Sequence, residues 1–179
     1  MEARTLWELA QVNIARPLES LDSPLLAEFM AALTPINALA DAAPGFVWRL
    51  QTDDGDATAI PVFGSTELIV NMSVWRDLES LGQFVFKSGH VEVMRRRRSW
   101  FAPMTDAYTA LWWVPAGVRP TVPEAENRLA SLRSRGSTPY AFSFRSPFPA
   151  PSAPFEIVEQ IRSDDETPAE ISADWRCPV

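Results

Sequence analysis

The residues best suited to chemistry lie between positions 84 and 101, in the run FVFKSGHVEVMRRRRSWF. This run holds the single histidine of the chain, His90, followed by four consecutive arginines and a Trp-Phe pair. Ser88 is a typical helix N-cap, because its hydroxyl can accept a hydrogen bond from an N–H that the first turn leaves unpaired. A helix that starts at position 89 therefore brings an imidazole, a thioether, guanidinium groups and an aromatic ring to one surface. These groups belong to His90, Met94, Arg97, Arg98 and Phe101.

His90 would lie in the first turn of this helix, where the helix dipole disfavours a positive charge. The imidazole is then neutral, which is the form that ligates a metal or accepts a proton. A structural interpretation stands beside this one. A lone histidine on an apolar helix face is commonly a hydrogen-bonded packing residue, and a run of arginines is commonly a solvated surface. Both interpretations remain open at this point.

The residue inventory excludes several kinds of site. One histidine and one cysteine cannot build a zinc site from several His or Cys ligands, nor the two-His-one-carboxylate iron triad. The sequence has no glycine-rich phosphate loop and no GxSxG nucleophile motif. A single axial imidazole on haem is the metal arrangement that the inventory still permits.

Length and composition indicate one globular domain, since the chain has 179 residues of which 46% are hydrophobic. We place this domain at residues 1–150 and a proline-rich, then acidic, extension at 151–179. The net charge of −7 argues against nucleic acid as a partner. No apolar run approaches the ~20 residues of a membrane span, and no signal peptide pattern is present. We therefore expect a cytoplasmic protein that does not bind membranes.

The order of predicted elements is β-α-β-β-α-β, followed by one more helix and strand. The strands are predicted at 6–14, 46–51, 68–72, 107–114 and 140–145. Helices are predicted to begin at Ser23, Ser73, Gly89 and Pro123, and Gln11 and Asn13 share one side of the first strand. This order predicts an α+β fold, a ferredoxin-like split βαβ antiparallel sheet with helices on one face. The aromatic residues of the strands exceed what one helical layer can cover, which predicts a homodimer.

Several blocks of the sequence resemble a known bacterial family. The blocks LAQVNIARP, NALADAAPGFVWRLQ, SGHVEVMRRRRSWF, LWWVPAG and AFSFR, in this order, are similar to the family called domain of unknown function 3291. The resemblance implies the dimeric α+β barrel superfamily, in which each subunit keeps a pocket between its sheet and its helices.

Two groups of that superfamily bear on function. The haem-using branch ligates iron through a histidine on a helix beside the sheet, and His90 alone matches that ligand. The run from His90 through Met94 to Phe101 is also similar to a stretch of spheroidene monooxygenase, a haem protein. The resemblance thus implies haem b, with Asn13 on the distal side and Arg97 or Arg98 on a propionate, in oxidative chemistry on a small-molecule substrate. The alternatives are a cofactor-free monooxygenase or isomerase with His90 as general base, and a non-catalytic dimeric binding module.

Overall fold

The structure, a computed structural model, describes residues 6–152, although not the side chains of His90 and Met94. Residues 153–179, most of the predicted C-terminal extension, lie outside the described residues. The elements are β1 (Trp7–Ala15), α1 (Ala27–Asp41), β2 (Phe46–Arg49), β3 (Ile69–Trp75), α2 (Leu78–Lys87), α3 (His90–Trp100), β4 (Thr109–Pro115) and α4 (Val122–Arg135). They follow the predicted order as far as α4, and the predicted helix at Gly89 is α3.

The strands form one antiparallel sheet in the order β2-β3-β1-β4. The first strand, β1, lies between β3 and β4, so that Asn13 is opposite both Asn71 and Thr109. This is the sheet of a ferredoxin-like split βαβ unit, and the predicted fold class is confirmed. No helix within residues 6–152 is long and apolar enough to cross a membrane.

The two faces of the sheet have different covers. The odd-numbered residues of β1 face α1, α2 and α3, which are the helices of the split βαβ unit and its continuation. The even-numbered residues face α4, whose Ala125, Leu129 and Leu132 pack on the sheet. The extra helix α4 thus covers the face that we expected a second subunit to cover. Homodimerisation stays a prediction.

Side chains near the helix ends explain where α2 and α4 begin. The Asp77 carboxylate accepts a hydrogen bond from the backbone N–H of Ser80 at 2.7 Å, and Thr121 accepts one from Glu124 at 3.3 Å. Ser73, which we expected to cap a helix, lies instead within β3. Its pairing with Gln11 and Arg49 continues the strand past the predicted end. The hydroxyl of Ser88 donates to the carbonyl of Phe84, and the residue before α3 is Gly89.

Two further predicted elements differ in the structure. The first helix begins at Ala27 rather than at Ser23, since the preceding residues form turns closed by bonds such as Ser23 N–H to the Ser20 carbonyl. The predicted strand at 140–145 is reduced to an isolated bridge between Leu111 and Phe142. The chain turns directly afterwards, at Ser143 to Ser146, and that turn leaves no room for a second ladder pair.

Candidate functional site

Polar side chains cross the middle of the sheet face that is turned toward α1, α2 and α3. We call this group the polar belt, and it consists of Gln11, Asn13, Asn71, Ser73 and Thr109. An apolar cluster lies at each end of the belt. One cluster includes Leu9, Trp75 and Leu111, and the other includes Ala15 and Phe101. Polar groups at the centre of a sheet face that is otherwise packed with apolar residues indicate a binding surface rather than a core.

The amides of the belt bond mainly to one another. Asn13 Nδ2 donates to Thr109 Oγ1 at 2.7 Å, and Gln11 Nε2 donates to the Asn71 carbonyl at 3.3 Å and to Asn71 Oδ1 at 3.4 Å. Gln11 is only 8% exposed, whereas Asn71 is exposed and Asn13 and Thr109 are half-buried. Solvent therefore reaches one part of the belt. Within the described residues, the side-chain oxygens of Gln11 and Asn13 accept no hydrogen bond, so they are available to a ligand.

Arg97 of α3 lies at the end of the polar belt that Asn13 and Thr109 form. Its Nη2 donates to the Ile14 carbonyl at 3.5 Å, and its guanidinium carbon lies 4.3 Å from the centre of the Tyr108 ring. Ile14 and Tyr108 are the chain neighbours of Asn13 and Thr109. Burial lowers the pKa of Arg97, and the Tyr108 phenol partly opposes this shift. The guanidinium nevertheless stays charged at any physiological pH.

The remaining predicted site residues are spread over α3 and the residue that follows it. Phe101 is buried with its ring against Phe29, at 4.8 Å and an angle of 87°. Arg98 is exposed. The backbones of His90 and Met94 belong to α3, but their side chains lie outside the described part of the structure. The structure thus brings Asn13 and Arg97 to the same end of the sheet, while Arg98 and Phe101 have different surroundings.

Sequence reasoning missed Asn71, Ser73 and Thr109 as members of the belt. The signal for the first two was the alternation of Val70, Met72 and Val74 with polar residues, which continues as far as Trp75. Thr109 could be placed only from the register, because it joins the belt by lying opposite Asn13. Polar residues from strands that are distant in the chain come together only when those strands pair. The pattern of a single strand does not reveal which residues of another strand will lie opposite.

A separate cleft of about 500 Å³ lies between the end of α1 and α2. Its lining includes Leu39, Pro44, Glu79, Gln83 and Phe84. The lining of the cleft comes from α1, α2 and the residues next to them, whereas the polar belt is on the sheet. It contains none of the predicted site residues.

Solved structures are similar to this chain at low sequence identity. SnoaB, a cofactor-independent oxygenase from Streptomyces nogalater, is 19% identical over 65% of this chain and 97% of its own, with a TM-score of 0.39. A protein of unknown function from Nitrosomonas europaea, NE2512, is 12% identical over 65% of this chain and 96% of its own, with a TM-score of 0.40. A candidate antibiotic biosynthesis monooxygenase from Chloroflexus aurantiacus J-10-fl is 12% identical over 64% of this chain and 98% of its own, with a TM-score of 0.38.

The prediction of haem b is wrong. The named oxygenase among these structures, SnoaB, is cofactor-independent. Arg97, one of the two arginines expected on a propionate, bonds to a backbone carbonyl and stacks on Tyr108, while the other, Arg98, is exposed.

The family comparison supports the resemblance seen in the sequence. No curated protein matches this chain. The model of the family DUF3291, a domain of unknown function, matches residues 8–157, which include every element described above apart from Trp7, the first residue of β1. The chain belongs to the DUF3291 family.

Proposed function

We propose that this protein is a cofactor-independent oxygenase that converts a small phenolic or enolic molecule at the polar belt. The observation that carries the proposal is the belt itself, a group of uncharged amide and hydroxyl side chains on the sheet between two apolar clusters. Amides at this position can hold the oxygen of a phenol or enol in either protonation state, because an amide both donates and accepts. The apolar clusters at its two ends suit the carbon skeleton of such a molecule.

The chemistry requires a substrate that can itself reduce dioxygen. Removal of the phenolic proton gives an anion whose negative charge is delocalised onto the para carbon, and this carbon gives electrons to dioxygen. The para C–H becomes a carbonyl carbon, one oxygen atom enters the resulting quinone and the other leaves as water. For 1-naphthol the balance is C10H8O + O2 → C10H6O2 + H2O. The substrate is the four-electron donor, so no other reductant is needed.

One of the proposed roles, holding the substrate oxygen, belongs to residues of the polar belt. Asn13 and Gln11 would hold the substrate oxygen through their free amide oxygens and their N–H groups. We propose His90 as the general base that accepts the phenolic proton, since a neutral histidine at the start of a helix is suited to that task. His90 is the first residue of α3, which packs against α1 and α2 above the same face of the sheet.

The test is oxygenation of 1-naphthol or 1-hydroxy-2-naphthoate under 18O2 by protein purified with a chelator and shown to be free of metal and haem. We expect one 18O atom in each quinone molecule. Asn13→Ala and His90→Gln should each slow the reaction by about 100-fold or more. Gln83→Ala, which removes an amide from the separate cleft, is the matched control and should leave the rate unchanged. Absence of oxygen uptake with both phenols, or a full rate in Asn13→Ala, would contradict the proposal.

A further inference from the structure

Arg97 differs from its neighbours in α3 in how its charge is compensated. Arg95 pairs with Glu92, and Arg96 pairs with Glu28. Arg97 is half-buried, and within the described residues no carboxylate lies within ion-pair distance of its guanidinium. Arg98 also lacks an acidic partner among the described residues, but it is exposed to water, so Arg97 is the arginine of this run that is half-buried without one.

The contacts that Arg97 does make leave most of its hydrogen-bonding capacity unused. A guanidinium has five N–H donors, and the described contacts use one of them, at the long distance of 3.5 Å to the Ile14 carbonyl. The rings of Tyr108 and Phe101, at 4.3 Å and 5.8 Å, stabilise the charge but accept no in-plane hydrogen bond. Charges that are withdrawn from water are normally paired in proteins, so these surroundings of Arg97 suit the binding of an anion.

We propose that the substrate carries a carboxylate on its planar ring, and that Arg97 binds this carboxylate at the end of the polar belt. The proposal rests on the oxygenase function proposed above and names its substrate class. Arg97 contacts the Ile14 carbonyl and the Tyr108 ring, and the chain neighbours of these residues, Asn13 and Thr109, belong to the polar belt at the same end of the sheet. An aromatic acid can thus place its carboxylate on the guanidinium and its hydroxyl on the amides. Guanidinium and carboxylate groups match in a bidentate geometry, which fixes orientation as well as charge.

Two probes of nearly the same shape, one with a carboxylate and one with a neutral carboxamide, measure how much the charge of the ligand contributes to binding. Binding of 1-hydroxy-2-naphthoate and of the neutral 1-hydroxy-2-naphthamide is measured under nitrogen, by calorimetry and by quenching of tryptophan fluorescence. We expect wild type to bind the carboxylate about tenfold or more tightly than the carboxamide. Arg97→Gln should reduce this preference to about twofold or less. Arg98→Gln, which removes the same charge from the exposed neighbouring position, should retain it.

Several outcomes would overturn the proposal. Equal affinity of wild type for the two probes, no binding of the carboxylate at all, or an unchanged preference in Arg97→Gln would each do so. If Arg97→Gln does not fold, as judged by circular dichroism, Arg97→Lys decides. A loss of about threefold or more in the carboxylate preference of Arg97→Lys supports bidentate binding, because lysine keeps the charge but lacks the two parallel N–H donors of a guanidinium. An unchanged preference contradicts bidentate binding.

The design also separates this proposal from the oxygenase function. Binding under nitrogen does not depend on turnover. A carboxylate preference that needs Arg97, without any oxygen uptake in air, would support the anion site and contradict oxygenation. Oxygenation of both probes with equal efficiency, unaffected by Arg97→Gln, would support oxygenation and contradict the anion site.

Discussion

Phe101 is the residue for which the sequence-based and structural interpretations predict the most different stabilities. As a ligand-binding residue facing a cavity, Phe101 would contribute little packing, and its removal would cost little. In the structure it is 7% exposed and packs edge-on against Phe29, 4.8 Å away, in the cluster that joins α1, α3 and the end of the sheet. Buried Phe→Ala substitutions cost about 3 to 5 kcal/mol, and we expect Phe101→Ala to fall within this range.

The assay is urea unfolding followed by tryptophan fluorescence, together with calorimetric melting. For a domain of this size each kcal/mol corresponds to ~2–4 °C, so the melting temperature should fall by about 6 °C or more. Phe86→Ala is the control, because Phe86 is 60% exposed and makes a ring contact with Phe144 at 5.1 Å. We expect it to cost about 1 kcal/mol or less. A cost for Phe101→Ala no greater than that of Phe86→Ala would refute the packing role.

Three further predictions concern the helix cap, the assembly and the charge of the molecule. Asp77→Ala should cost about 1 kcal/mol at pH 7 through loss of the α2 cap. Burial raises the pKa of Asp77, but hydrogen bonds from Arg76 and Ser80 outweigh it and the net pKa is lowered. The stabilisation is therefore present above pH ~4 and lost as the pH falls through the folded pKa, so the unfolding free energies of variant and wild type in urea should converge as the pH is lowered through it. Light scattering at micromolar concentration should give a homodimer, and a monomer would contradict that prediction. Random duplex DNA should show no micromolar binding at 150 mM salt, because the chain carries a net charge of −7; salt-sensitive retention on heparin with such binding would count against it.

The sequence predicted the sheet better than it predicted the helix boundaries or the site. Alternation in the first strand correctly placed Gln11 and Asn13 on the same side as Leu9, because a strand has a period of two and one wrong position would invert it. Serine is common at helix N-caps and also fits a strand, so the sequence around Ser73 allows both structures, and only its pairing with Gln11 decides for the strand. The haem prediction followed from the single histidine and a resemblance. Neither of these specifies that the Arg97 side chain is half-buried against Tyr108 while the Arg98 side chain is exposed.

The location of the site is the central claim, and one measurement tests it directly. The side-chain amide signals of uniformly 15N-labelled protein are followed by NMR while 1-hydroxy-2-naphthoate is added under nitrogen. We predict that the signals of Gln11 and Asn13 shift in a saturable way, because these amides line the polar belt, while the signal of Gln83 in the separate cleft stays in place. A saturable shift of Gln83 with no change at Gln11 and Asn13 would contradict the claim and move the site to the cleft between α1 and α2.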